Sequence, residues 1–305
     1  MVKKSNISIT EGFIPFRSWK TWYRVVGKQE EAGRLPLLCL HGGPGATHDY
    51  FGSLEAFSSS GRRVILYDQL GWGNSDHIHD PAMWTIELFV DEVGEIRRAL
   101  GLERVHLLGH SWGGQLAMEY ALSQPAGLES LVLADTLSSA PQWAIEARRL
   151  IGELPPEVQR AILDHEAAGT TESSEYQDAM KVFSRFHAGG HIDPKPKWVK
   201  VAFNKLETNE VYLTMWGPSE FYVTGTLKDW DITSRLGEIR VPALVLCGRY
   251  DEATPNLAET IHRGIPKSEL VIFEHSAHFP HIEETERYLR VLDLFLGRVE
   301  ADLEE

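Results

Sequence analysis

Short, nearly unbroken apolar runs alternate along this chain with longer stretches whose apolar residues recur at three- and four-residue spacing. The runs are Leu35–Leu40, Arg63–Tyr67, Arg104–Leu108, Leu128–Ala134, Val241–Cys247 and Glu269–Phe273. A strand without a polar face is covered on both sides, so the pattern predicts a mostly parallel sheet with helices on both faces. Trp84–Leu100 carries Ile86, Phe89, Val90, Val93, Ile96 and Leu100 at helical spacing and meets a stop at Gly101. Gln115–Ser123 reads as a second helix. Ile7–Val26 reads as two short amphipathic strands, an antiparallel hairpin at the sheet edge.

The alternation stops between Asp135 and Ile239. Helical patterns follow one another there (Trp143–Ile151, Pro156–His165, Ser174–Phe186), with a Gly/Pro-rich break at Gly189–Pro196 and many aromatic residues. This predicts a core formed by residues 1–135 and 240–305, with residues 136–239 inserted as a helical cap over one end of the sheet. The acidic end Glu300–Glu305 reads as a frayed, solvated terminus.

Composition narrows the function. The 305 residues carry a formal net charge of -14, which argues against nucleic acid or an anionic membrane as partner. No run is long enough to span a bilayer, and no apolar stretch follows Lys3 and Lys4, so neither a membrane anchor nor a signal peptide is expected. Cys39 and Cys247, the only cysteines, each sit in an apolar strand and fit a reducing cytoplasm rather than a disulfide framework.

The chemistry gathers at strand ends. Gly109-His-Ser-Trp-Gly113 follows a strand and opens a helix, the context in which a serine is lifted clear of the sheet as a nucleophile. A Cβ at Gly109 or Gly113 would clash with the neighbouring turns. An acyl-transfer enzyme also needs two N–H donors for the developing oxyanion. Trp112, next to Ser111, supplies one, and Gly43 in His41-Gly-Gly-Pro-Gly45 is the candidate for the other. The acid and then the base follow in chain order: Asp251 after the strand Val241–Cys247, and His278 after the last strand. Asp135, also at a strand end, is the rival acid. Asp251 is preferred because Asp135 leads straight into the insertion. His275 and His281 read as surface or supporting residues, and His41, His48, His77, His106 and His110 as structural ones. No histidine and carboxylate group has metal-ligand spacing, so neither a metal nor another cofactor is expected.

These motifs resemble the proline iminopeptidase (prolyl aminopeptidase) family of α/β-hydrolases over nearly the whole chain. The resemblance rests on His41-Gly-Gly-Pro-Gly45, Tyr67-Asp-Gln-Leu-Gly71 with Ser75 and Asp76, and Gly109–Gly114. It continues through Met215-Trp-Gly-Pro-Ser-Glu-Phe221, Gly248–Glu252 with Thr254-Pro255, and His278. It implies Ser111, Asp251 and His278 as a triad, Gly43 and Trp112 as oxyanion donors, and Glu220 and Glu252 as holders of a substrate's free α-ammonium. The chain departs from the branch with Asp-Gln-Arg-Gly: Leu70 stands where that branch has arginine, and relatives carrying leucine include broader aminopeptidases and amidases.

The function expected is a serine aminopeptidase cleaving the N-terminal residue, proline among them, from small peptides or amino acid amides. An amino acid amidase or small-molecule esterase is the alternative, and a ligand-binding receptor a more remote one. Trp198, Phe203, Tyr212, Trp216, Phe221 and Tyr222 are candidates to line an apolar pocket, although helical aromatics more often serve as core.

Overall fold

The computed structural model describes residues 7–189, 192, 194–204 and 206–304. Met1–Asn6, with the two lysines considered above, and Gly190, His191 and Asp193 of the Gly/Pro-rich break lie outside the described residues. Eight strands form one sheet: β1 Ile9–Phe16, β2 Trp19–Val26, β3 Leu37–Leu40, β4 Val64–Tyr67, β5 Val105–His110, β6 Leu128–Ala134, β7 Ala243–Gly248 and β8 Ser268–Phe273. Their spatial order is β1-β2-β4-β3-β5-β6-β7-β8. β1 and β2 pair antiparallel at the edge, and β4, β3 and β5 to β8 run parallel.

The register sets the working end of the sheet. Leu40 pairs with Gly109, His110 with Ala134, Ala134 with Leu246, and Gly248 with Phe273. The carboxyl ends of these strands therefore form one rim, and the residues just beyond it share a single crevice.

Side-chain alternation gives each central strand two apolar faces. Leu38 and Leu40 point into one core, with α1 (Ile86–Ala99) and α2 (Trp112–Leu122). Leu37 and Cys39 point into the other, together with Leu292, Phe295 and Leu296. Between β6 and β7 lie α3 (Ala140–Ile151), α4 (Pro156–Ala168), α5 (Ser174–His187), α6 (Lys197–Ala202) and α7 (Glu210–Met215). Asn209 caps α7 at Val211 N and donates to the Gly45 carbonyl at 2.8 Å, which ties this helical segment to the His41–Gly45 loop. After β7 come α8 (Pro255–Gly264), α9 (Pro280–Glu283) and α10 (Thr285–Asp302).

The acidic C-terminal end departs from expectation. Glu300 lies within α10 and is only 4 % exposed. It bonds the Arg62 guanidinium at 2.6 and 3.0 Å, Arg34 at 3.0 Å and the Leu35 N–H at 2.8 Å. The run of acids looked solvated because its cationic partners are more than two hundred residues away in sequence.

Candidate active site

Ser111 occupies the turn between β5 and α2 with φ 56° and ψ −125°, a conformation that a non-glycine residue adopts only when its surroundings impose it. The constraint is visible in the neighbouring glycines. A Cβ on Gly109 would lie 2.1 Å from the Gly113 carbonyl oxygen, and one on Gly113 2.0 Å from that of Leu40. Ser111 N–H donates to the Ala134 carbonyl at 3.0 Å, and the Thr136 hydroxyl to the Ser111 carbonyl at 2.7 Å. Trp112 opens α2, so its amide is among the N–H groups that helix geometry leaves without an intrahelical acceptor. Gly43 lies in the facing loop with φ 116°, where a Cβ would meet the Gly45 nitrogen at 2.5 Å, and its peptide bond to Pro44 is cis.

His278 follows β8, and its Nδ1–H donates to Asp251 Oδ1 at 2.7 Å. Asp251 Oδ1 also accepts from the Ala253 amide at 2.8 Å. With Nδ1 committed, Nε2 is the ring nitrogen left for a reacting group; it is 3.8 Å from Glu252 Oε1. Burial opposes a charge on His278, but Asp251, Glu252 and Glu220 together outweigh it and raise its pKa to about 9.

Asp135 stands in the same layer without touching the imidazole of His278. Its Oδ1 accepts from the Gly248 amide at 3.2 Å, and burial, reinforced by the neighbouring Asp251, pushes its pKa well above the carboxylate range. Burial and Asp251 thus both disfavour a negative charge on Asp135.

A cavity of about 400 Å³ opens beside Ser111 and His278. Ser111, Gly43, His278, Glu220 and Glu252 line it, with Phe203, Phe221 and Phe279 among its apolar walls. Glu252 is 5 % exposed; burial drives its pKa well above the usual value, and Glu220 and Asp251 push it further. Glu220 is likewise raised by burial, although Tyr212 OH donates to it at 2.8 Å. Among the described residues neither glutamate pairs with a lysine or arginine. The cavity wall thus holds two carboxylates that have no lysine or arginine ion-pair partner among the described residues and stand beside the imidazole of His278.

Of the aromatic candidates, Phe203 and Phe221 line the cavity. Tyr212 and Trp216 are buried, and serve by holding Glu220: Trp216 Nε1 donates to the Glu220 carbonyl at 2.9 Å. Trp198 packs beside Gly52, and Tyr222 lines a separate surface groove. Leu70 lies in the core, with its N–H on Glu92, and is no part of the cavity wall.

Several supporting residues, some of them inside the motifs and some outside, have roles that only the fold reveals. Gly42 N–H donates to Tyr50 OH at 2.7 Å, Tyr50 OH to His110 Nδ1 at 3.1 Å, and His110 Nε2–H to the His278 carbonyl at 2.8 Å. This chain of bonds couples the glycine loop to the loop that carries His278 and requires a neutral His110, which burial and the neighbouring His278 favour. Gln69 accepts from Trp112 Nε1 at 2.8 Å and binds His41 through both its backbone and side-chain amides at 2.9 Å. Burial lowers the pKa of His41 to about 4, so it accepts at Nε2 and donates at Nδ1. Glu283 holds the backbone of the His278 loop through the Ala277 and Phe279 amides, at 3.0 and 3.2 Å. His275 is exposed; His281 is buried against Tyr50, with its pKa lowered by burial to about 3.

Among the described residues no helix is long and apolar enough to cross a membrane. Residues 36–285 match the family model for the alpha/beta hydrolase fold. The proline iminopeptidase of Clostridioides difficile (strain 630) is 42% identical over 293 residues, covering 95% of this chain and 99% of that protein. The crystal structure of the proline iminopeptidase from Mycobacterium smegmatis superimposes with a TM-score of 0.90 at 38% identity, covering 96% of this chain and 100% of the other. The crystal structure of VinJ matches with the same TM-score of 0.90 at 40% identity, over 95% of this chain and 99% of that one. Fold, motifs and near-full-length similarity agree: this chain is a hydrolase that belongs to the proline iminopeptidase family of α/β-hydrolases.

Proposed function

We propose that the enzyme removes the N-terminal residue, proline among those accepted, from small peptides or amino acid amides through an acyl-enzyme on Ser111. His278 takes the Ser111 proton and returns it to the leaving amine, Asp251 holds the imidazole in its productive tautomer, and water then resolves the ester. The amides of Gly43 and Trp112 receive the oxyanion. Residues 136–239 act as the cap that closes the crevice.

The observation that carries this reading is the pair Glu220 and Glu252 in the wall beside Ser111 and His278, without a lysine or arginine partner among the described residues. A free α-ammonium supplies the missing charge. It is separated by a single carbon from the carbonyl that Ser111 attacks, so a substrate extended at its N-terminus cannot offer both groups at once. A protonated proline nitrogen has two N–H donors, one for each carboxylate, and its ring suits walls built from Phe203, Phe221 and Phe279. The ammonium also offsets the glutamate field that holds His278 protonated, so substrate binding itself frees the base. The buried thiols of Cys39 and Cys247 support a cytoplasmic location, and the acidic charge supports a small-molecule partner rather than nucleic acid or membrane.

A free aminoacyl amide and its N-acetylated twin test the reading. A charge-assisted hydrogen bond contributes roughly 1.5–3 kcal/mol, so acetylation should lower kcat/KM at least tenfold. Equal rates on the two compounds would overturn the ammonium clamp.

A further inference from the structure

The charges in the cavity wall are segregated. Glu220 and Glu252 stand beside Ser111 and His278, and Glu252 is almost wholly buried. The other charged residues in the described lining are Lys195, just before α6, and Lys200, on it; both are exposed. Neither forms an ion pair with a described residue. Lys195 also borders a surface groove that contains Arg185, likewise without an ion pair among the described residues. In a chain of net charge -14, two exposed lysines on the cavity lining without an ion-pair partner among the described residues are a local reversal of sign.

We infer that Lys195 and Lys200 form a subsite for the C-terminal carboxylate of the substrate, so the enzyme is selective for peptides of two or three residues with a free carboxyl group. This rests on the aminopeptidase reading above and adds the identity of the leaving fragment. A short peptide is a zwitterion: its ammonium meets the glutamates, its scissile carbonyl lies at Ser111, and its carboxylate emerges at the mouth. Each added residue extends the chain by about 3.3–3.6 Å, so in a long peptide the carboxylate lies beyond both lysines. A carboxylate is also the group that an acidic protein surface otherwise repels, which makes the lysine pair selective as well as attractive.

The test compares a proline-headed tripeptide acid with its C-terminal amide, using wild type, the double variant Lys195→Met/Lys200→Met and the double variant Lys195→Arg/Lys200→Arg. Exposed ion pairs are individually weak, so wild type should favour the acid by about three- to tenfold in kcat/KM, with the difference residing in KM. The ratio should fall to about one in the methionine variant, persist in the arginine variant, and shrink in high salt. With a hexapeptide acid and its amide the ratio should be about one even in wild type. Equal wild-type turnover of the tripeptide acid and amide would overturn the subsite while leaving the aminopeptidase reading intact. Persistence of the preference in the methionine variant would overturn the assignment to these lysines. Failure to hydrolyse either tripeptide would overturn the subsite, and failure on a free prolyl amide as well would overturn the aminopeptidase reading.

Discussion

At the amino ends of the strands, the wholly buried Arg62 meets Glu300 and Asp293, and Arg34 and the Leu35 amide take up the remaining acceptors of Glu300. His106, near the start of β5, has its pKa lowered by burial and bonds Ser130 and Glu300. At the carboxyl ends, Asp251, Glu252 and Glu220 act on one imidazole, and burial and Asp251 raise the pKa of Asp135. The first cluster satisfies itself, and its product is stability. The second is short of positive charge, and that shortage is what a cationic substrate would relieve. Two buried charge clusters on one sheet therefore differ in whether arginine closes their balance within the chain or, among the described residues, no lysine or arginine does.

The comparison is broken most severely at Ser111. Ser111→Ala should leave the melting temperature nearly unchanged and lower kcat on the order of 10⁶-fold, read by steady-state hydrolysis of an aminoacyl amide. An active variant would remove the nucleophile from the carboxyl end. Next, Asp251→Asn should cost roughly 10⁴ in kcat because His278 loses its tautomer partner, whereas Asp135→Asn should cost far less, since an amide can still accept from Gly248 and donate to Asp251. The reverse ranking in folded proteins would make Asp135 the acid of the triad.

At the opposite end the effect should fall on stability. Glu300→Gln leaves Arg62 buried with a weakened partner, and unfolding in urea should report a loss of about 3–5 kcal/mol, with kcat retained by the folded fraction. The pKa of Glu300 is depressed to about 2 by the His106 and Arg62 hydrogen bonds, against the opposing effect of burial. Its contribution is thus complete above an unfolded value of about 4.3, and the gap between wild type and variant should close as the pH falls toward 2.

The smallest expected effect sharpens the comparison. Glu252→Gln should lower kcat/KM on free-amine substrates about tenfold to a thousandfold. It should also move the acid limb of the kcat/KM profile to lower pH, because Glu252 helps to hold His278 protonated in the free enzyme. An unmoved limb would mean that the glutamate does not act on the base.

The succession of strands and helices along the chain and the strand-end position of Ser111, Asp251 and His278 were legible, because each rests on local periodicity or on a turn only glycine permits. Leu128–Ala134 matches β6 residue for residue, and Gly109 and Gly113 are required by contacts within their own turn and with Leu40. The hairpin Ile9–Val26 was equally readable from amphipathic alternation. Other features depend on partners brought together across the whole chain. The burial of Glu300 depends on Arg62, the bond chain Gly42–Tyr50–His110–His278 crosses four separate segments, and Tyr212 holds Glu220 from within α7. The same distinction separates Asp251 from Asp135. Both follow a strand, and only the packing of β6 against β7 decides that Asp251 meets the imidazole while Asp135 is buried beside Asp251 with its pKa raised. Local sequence sets backbone conformation through sterics and patterning; the charge state of a buried group is set by everything within a few ångströms of it, and that neighbourhood exists only once the chain has folded.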